Sequence, residues 1–127
     1  MTFFISQESD QGFRVEPDVF VRTLQAQWPG ASVRERSNPD DTYLYEWTLQ
    51  TKGDELDGHL EKHHRSVALV GSLRSAASFA VWFQRELAGC DRNLKFYDEN
   101  YDPVVALTNE TTEDDIIRRM EGGRHFG

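Results

Sequence analysis

Cysteine and long apolar runs are scarce in this sequence. A single cysteine, Cys90, occurs among 127 residues, which excludes an internal disulfide and a zinc site built from several cysteines. Residues 1–6 lack the basic stretch and the apolar core of a signal peptide. No segment approaches the roughly 20 apolar residues that span a bilayer. We therefore expect a cytoplasmic protein without a membrane partner.

Basic residues are also in short supply. Lys and Arg number 14 against 22 Asp and Glu, which gives a net charge of -8. This charge repels the phosphate backbone and removes the counterion release that drives nucleic-acid binding. Nucleic acid is therefore not an expected partner, whereas a basic protein is complementary in charge. The alternative is that the acidic surface only keeps the protein soluble.

Aromatic side chains, in contrast, are plentiful: eight Phe, four Tyr and three Trp. Each large ring buries on the order of 150–250 Å². Rings in this number are enough to fill a hydrophobic core. A chain of 127 residues has room for one hydrophobic core and not for two. We expect residues 1–127 to form a single domain.

The first third of the chain predicts two strands around a helix. Residues 3–5 are an apolar strand, and a helix begins at Pro17 and ends before Pro29. Residues 32–37 predict a polar edge strand with Val33 as its apolar anchor.

The middle of the chain predicts a hairpin, a buried strand and a buried helix. Apolar and polar residues alternate along residues 42–51, which places Tyr43, Tyr45, Trp47 and Leu49 on one face. A turn then returns the chain along residues 55–63. Residues 66–73 are apolar enough for a central strand, after which Ser75 opens a helix. That helix is apolar nearly all round, and its predicted core residues are Phe79, Trp82, Phe83 and Leu87.

Residues 93–122 predict a strand, an acidic turn, a second well-buried strand at 104–108, and a helix. Thr111 or Thr112 is placed to cap the helix, with Asp114 or Asp115 in the return position of a capping box. Gly122 is placed to end it.

Together these elements follow the order β-α-β-β-β-β-α-β-β-α. Short turns join most neighbouring strands, and short turns cannot make the crossovers of a parallel sheet. The order therefore predicts an α+β fold with a mainly antiparallel sheet and helices packed on one face.

Three residues of one predicted strand form a candidate metal site. His59, Glu61 and His63 alternate, so an extended strand places their side chains on one face, opposite Leu56 and Leu60. Two imidazoles and a carboxylate are a known metal-ligand set. The alternative is a solvated sheet face, and this alternative is preferred because Glu55 and Asp57 belong to the same face.

Catalytic signals are weak elsewhere. The sequence contains no G-x-S-x-G motif and no phosphate-binding glycine loop. We predict no catalytic residue and no cofactor. The alternative, a small enzyme or metal-binding protein, would depend on His59, Glu61 and His63.

The last third of the chain resembles small uncharacterised bacterial proteins, some of which are similar to immunity proteins of toxin systems. The residues that carry the resemblance are Phe96-Tyr97-Asp98-Glu99-Asn100-Tyr101, Val105-Ala106-Leu107-Thr108 and Thr111-Thr112-Glu113. The resemblance implies a small non-catalytic binding protein.

A binding function of this kind predicts a basic protein partner, which is either a toxin or a regulatory protein. Asp98, Glu99, Tyr101 and Asp102 are the candidate contacts, with carboxylates for steering and a tyrosine as anchor. The alternative is that these residues only form a turn. Two further hypotheses are the small enzyme or metal protein described above and an oligomer that pairs through the edge strand around Val33.

Overall fold

The computed structural model describes residues 2–7, 17–35, 43–51, 54–61, 66–88, 94–100 and 103–124. The strands are β1 (Thr2–Gln7), β2 (Ser32–Glu35), β3 (Tyr43–Thr51), β4 (Asp54–Glu61), β5 (Ser66–Val70), β6 (Leu94–Asp98) and β7 (Val105–Leu107). The helices are α1 (Pro17–Gln27), α2 (Leu73–Phe83) and α3 (Glu113–Arg124). A π-helical segment, Gln84–Ala88, continues α2. The predicted α+β class and element order are confirmed.

All seven strands form one sheet in the order β2-β3-β4-β5-β1-β6-β7. Every neighbouring pair is antiparallel. The first strand lies between β5 and β6, so Phe4 is paired with Ala68 on one side and with Tyr97 on the other. The first strand of the chain therefore lies in the interior of the sheet, next to a strand from the last third of the sequence.

One face of the sheet carries the core. Its buried side chains are Phe3, Ile5, Trp47, Leu49, Leu56, Leu60, Val67, Leu69, Leu94, Phe96, Val105 and Leu107. Phe20 of α1 packs on Trp47 with ring centroids 4.8 Å apart, and Phe79 of α2 stacks on the same ring at 5.6 Å. Ile116 and Met120 of α3 belong to the same buried cluster. The prediction that the helices pack on one face is confirmed for the described helices.

Gly58 makes room for the largest ring of this core. It is paired with Trp47 across β3 and β4, and a Cβ atom on Gly58 would overlap the indole ring of Trp47. Both residues are buried. Only a residue without a side chain allows the indole of Trp47 to approach the backbone of β4 this closely.

The start of α2 differs from the prediction. The strand ends at Val70, and Leu73 is already helical. Ser72 is the N-cap, because its hydroxyl accepts a hydrogen bond from the backbone N–H of Ser75 at 3.1 Å. The prediction assigned Leu73 to the strand because an apolar first-turn residue has the same character as the buried strand before it.

The predicted capping box of α3 is confirmed at Thr112 and Asp115. The Thr112 hydroxyl accepts from the Asp115 N–H at 3.1 Å, and the Asp115 carboxylate accepts from the Thr112 N–H at 3.0 Å. The predicted end at Gly122 is wrong, since α3 continues to Arg124. Glycine disfavours a helix interior by only about 1 kcal/mol, which packing elsewhere in the helix offsets.

The strand β7 is less buried than predicted. Val105 and Leu107 are buried, but Ala106 between them is exposed, and Val104, which lies just before the strand, is 46% exposed. The reason is that β7 is the last strand of the sheet and only its inner face is covered.

Candidate binding surfaces

The sheet face opposite the core carries a continuous row of paired residues across six strands. In register order the row is Arg34, Glu46, His59, Ala68, Phe4 and Tyr97. We call this face the outer face. Along this row the residues are polar or charged on β2, β3 and β4 and apolar or aromatic on β5, β1 and β6. Ser6 and Lys95, which are paired with each other, lie next to the row on the same face.

The centre of the outer face is aromatic and apolar. Phe4 and Tyr97 stack with ring centroids 5.5 Å apart. The Ser6 hydroxyl donates a hydrogen bond to the Tyr97 hydroxyl oxygen at 3.0 Å, which orients the tyrosine ring. Beside them Val70 is 40% exposed. This centre was missed by the sequence prediction, although the uninterrupted apolar run of β1 signals a strand that is apolar on both faces.

Polar groups flank this centre on the outer face. His59 Nε2 lies 3.4 Å from Glu46 Oε1. The Thr48 hydroxyl donates to an Asp57 carboxylate oxygen at 2.7 Å. These neighbours hold the polar side chains in place across β3 and β4.

The same strand contains the predicted metal ligands. His59 lies on the opposite face from the buried Leu56 and Leu60, as the alternation predicts. His63 lies outside the described residues, and the side chain of Glu61 is likewise outside them. Among the residues that the structure describes, no three histidine, cysteine or acidic side chains are grouped closely enough to hold a metal ion.

The predicted contact residues around the turn after β6 separate into two environments. Asp98 is 1% exposed, and its carboxylate accepts a hydrogen bond from the backbone N–H of Asn100 at 2.9 Å. Its side chain is therefore buried and stabilises the turn after β6. Glu99 is exposed and accepts the backbone N–H of Thr2 at 3.0 Å. Tyr101 and Asp102 lie outside the described residues. A partner contact of Glu99, Tyr101 and Asp102 stays a prediction.

A groove of about 650 Å³ lies on the helix side of the sheet, between α1 and the edge formed by β2 and β3. It is lined by Asp18, Val21, Arg22 and Gln25 from α1, and by Val33, Glu35 and Tyr45 from β2 and β3. We call it the α1–β2 groove. Val21, Val33 and Tyr45 are half-buried and pack against the core, so the floor is apolar.

The rim of this groove is negatively charged near Tyr45. Burial raises the pKa of the Tyr45 hydroxyl, and the carboxylates of Glu35 and Asp18 raise it further. Arg22 is the one cation among the described lining residues, and its Nε points at the Asp18 carbonyl oxygen, 3.4 Å away. The sequence prediction identified the strand with Val33 as an edge but missed the groove, because α1 and β3 complete it.

Comparison of the chain with protein-family models, with curated proteins and with solved structures found no match. Within the described ranges, no helix has both the length and the apolar character needed to cross a membrane. The outer face and the α1–β2 groove are therefore the basis on which a function is assigned.

Proposed function

We propose that this chain is a small acidic cytosolic protein-binding module that binds a basic protein through its outer face. The observation that carries the proposal is the apolar centre of Phe4, Ala68, Val70 and Tyr97 on the sheet face opposite the helices. Apolar and aromatic side chains at the centre of a patch supply most of the energy of a typical protein interface.

The border of the same face supplies charge. Glu46 and Asp57 lie on one side of the apolar centre and Glu99 on the other, and the same face also carries the cations Arg34 and Lys95. Carboxylates at the rim of an interface contribute mainly to the association rate and to the choice of partner. With a net charge of -8 behind them, they favour a basic partner.

As the specific form of this function we propose a non-catalytic inhibitor of a basic toxin, which is what the resemblance drawn from the sequence of the last third implies. A regulatory partner of the same charge uses the same surface. In both cases the backbone hydrogen bonds of the sheet hold Phe4 and Tyr97 in position in the unbound protein. Binding to a surface already ordered avoids the entropy cost of ordering it.

Two matched variants test the proposal. Val70→Lys places a cation on the outer face, where the paired Asp57 accommodates it. Val19→Lys makes the same change on α1, at a side chain that is also 40% exposed. A native extract is passed over each variant and over the wild type, and bound proteins are quantified by mass spectrometry.

A basic protein that binds the wild type and Val19→Lys, but binds Val70→Lys at least about tenfold more weakly, supports the proposal. Its purified complex should associate more slowly as salt is raised, because exposed charges are screened over roughly 8–10 Å. Equal binding to the two variants would exclude the outer face. Absence of any specific basic partner would refute the proposed function.

A further inference from the structure

We propose that the α1–β2 groove binds an extended segment of a partner protein, which adds a strand to the edge of β2 and places a Lys or Arg beside Glu35 and Asp18. The segment has the pattern apolar residue, any residue, Lys or Arg. This inference concerns the helix side of the sheet and does not depend on the outer face.

The position of β2 supports strand addition. Among the described strands, it is the terminal strand of the seven-stranded sheet and is paired with β3 along its other edge. Three of its four residues are exposed. A terminal strand offers backbone N–H and C=O groups on its outward edge, and an added peptide strand gains affinity by pairing with them.

The groove selects the side chains of the added strand. In an added strand, alternate side chains point to the helix side of the sheet. One of them meets the apolar floor at Val21 and Val33. The next one on that side is about 7 Å further along, where Glu35 is paired with Tyr45 and Asp18 faces the same cavity.

The chemistry at that second position favours a cation. Two carboxylates, of Asp18 and Glu35, and a tyrosine hydroxyl line the cavity there. The tyrosine shows their joint effect, because both carboxylates raise its pKa. A guanidinium or ammonium group that enters the groove is attracted by both carboxylates and repelled by Arg22, the cation of the same lining. Two negative charges against one positive charge favour a cation over a carboxylate.

A second copy of this chain is the competing occupant of a free edge strand. Two copies each carry a net charge of -8 and repel one another. A basic segment gains attraction from the same charge. The charge of the chain therefore favours a basic partner segment over self-association.

The test uses purified protein and a synthetic peptide library. Acetylated and amidated threonine peptides carry two varied positions separated by one residue, and their binding is measured by fluorescence polarisation. We expect an apolar residue at the first varied position. At the second we expect Arg or Lys to bind about tenfold more tightly than Glu, which corresponds to about 1.4 kcal/mol. Amide resonances of β2 should shift in the peptide complex.

A charge reversal in the groove provides the matched comparison. Glu35→Lys should remove the preference for Arg or Lys, while Glu121→Lys makes the same charge change on α3, which packs on β7 at the far end of the sheet. The unchanged circular dichroism spectrum and midpoint of unfolding of both variants establish that the fold is intact.

Four outcomes would overturn the inference. They are no peptide binding at millimolar concentration, a preference for Arg or Lys that survives Glu35→Lys, peptide shifts that bypass β2, and a dimer in sedimentation experiments whose contact includes β2. The last outcome assigns the edge to a second copy. Val70→Lys changes the outer face and none of the residues that line the groove. A loss of peptide binding is therefore distinct from failure of the proposed function.

Discussion

Replacing Gly58 with alanine should destabilise this protein far more than a single methyl group ordinarily does. The added Cβ atom would overlap the indole ring of Trp47, which is paired with Gly58 across the sheet. The ring has little space to retreat, because Phe20 lies 4.8 Å and Phe79 5.6 Å from it, centroid to centroid. Either the indole leaves its place or β3 and β4 separate locally.

The expected cost follows from these two routes. Overpacking a core typically costs about 1–3 kcal/mol, and losing the packing of a buried tryptophan costs about 3–5 kcal/mol. We expect Gly58→Ala to lower the free energy of unfolding by about 3–5 kcal/mol. A small domain is stable by only about 5–15 kcal/mol, so the variant should be close to unfolding.

A double-mutant cycle with Trp47→Leu isolates the cause. Once the indole is gone, Gly58→Ala should no longer destabilise and should raise the free energy of unfolding by up to about 1 kcal/mol, because alanine restricts the unfolded chain more than glycine does. Urea unfolding followed by far-ultraviolet circular dichroism measures all four proteins without relying on tryptophan fluorescence. The sign of the Gly58→Ala effect should therefore reverse between the two backgrounds.

Gly30→Ala is the control, because a Cβ atom at Gly30 meets nothing within 4 Å. Its effect should stay within about 0.5 kcal/mol. A Gly58→Ala protein within about 1 kcal/mol of the wild type, or an equal loss in the Trp47→Leu background, would refute the account of this contact.

Four further outcomes are expected. Trp82→Ala should cost about 3–5 kcal/mol in urea unfolding, because the ring packs on Trp28 and Phe79 at 5.0 and 5.3 Å; a loss under about 1 kcal/mol would make α2 peripheral. Thr112→Ala should cost about 1 kcal/mol. The backbone hydrogen bond from Thr112 lowers the pKa of Asp115. The contribution of the Asp115 carboxylate to folding stability is therefore complete above the unfolded-state pKa of about 3.9 and is lost as pH falls through the lower folded-state value. Asp115→Asn should accordingly lower the unfolding midpoint at pH 7 and have no effect in strong acid. Metal analysis of untagged protein should find less than about 0.1 equivalent of zinc, iron or manganese; stoichiometric metal that His59→Ala removes would instead support the enzyme or metal-protein hypothesis.

Local signals were sufficient for much of the fold. The alternation along β3 predicted the buried face that contains Trp47 and Leu49, and the structure buries both. The capping box at Thr112 and Asp115 was predictable because all of its groups lie within four consecutive residues. The order of strands and helices followed from the same kind of short-range pattern.

Part of the outer face was predictable in the same way. Period-two alternation placed His59 opposite Leu56 and Leu60 from the sequence alone. The apolar centre was not predicted, since Phe4, Ala68 and Tyr97 belong to three strands far apart in the chain that become neighbours only when β1 enters the sheet between β5 and β6.

The sequence by itself determined the order of strands and helices, the buried faces of β3 and β4, and the acidic charge of the chain. Hydrophobic period and helix capping depend on a few neighbouring residues, and net charge depends only on composition. The tertiary structure alone decided that Gly58 underlies Trp47, that Asp98 turns inward, and that α1 forms a groove with β2. Each of these depends on which distant strands pair and in which register. The total free energy of packing decides the pairing and the register. It depends on contacts between distant segments, so no single segment determines it.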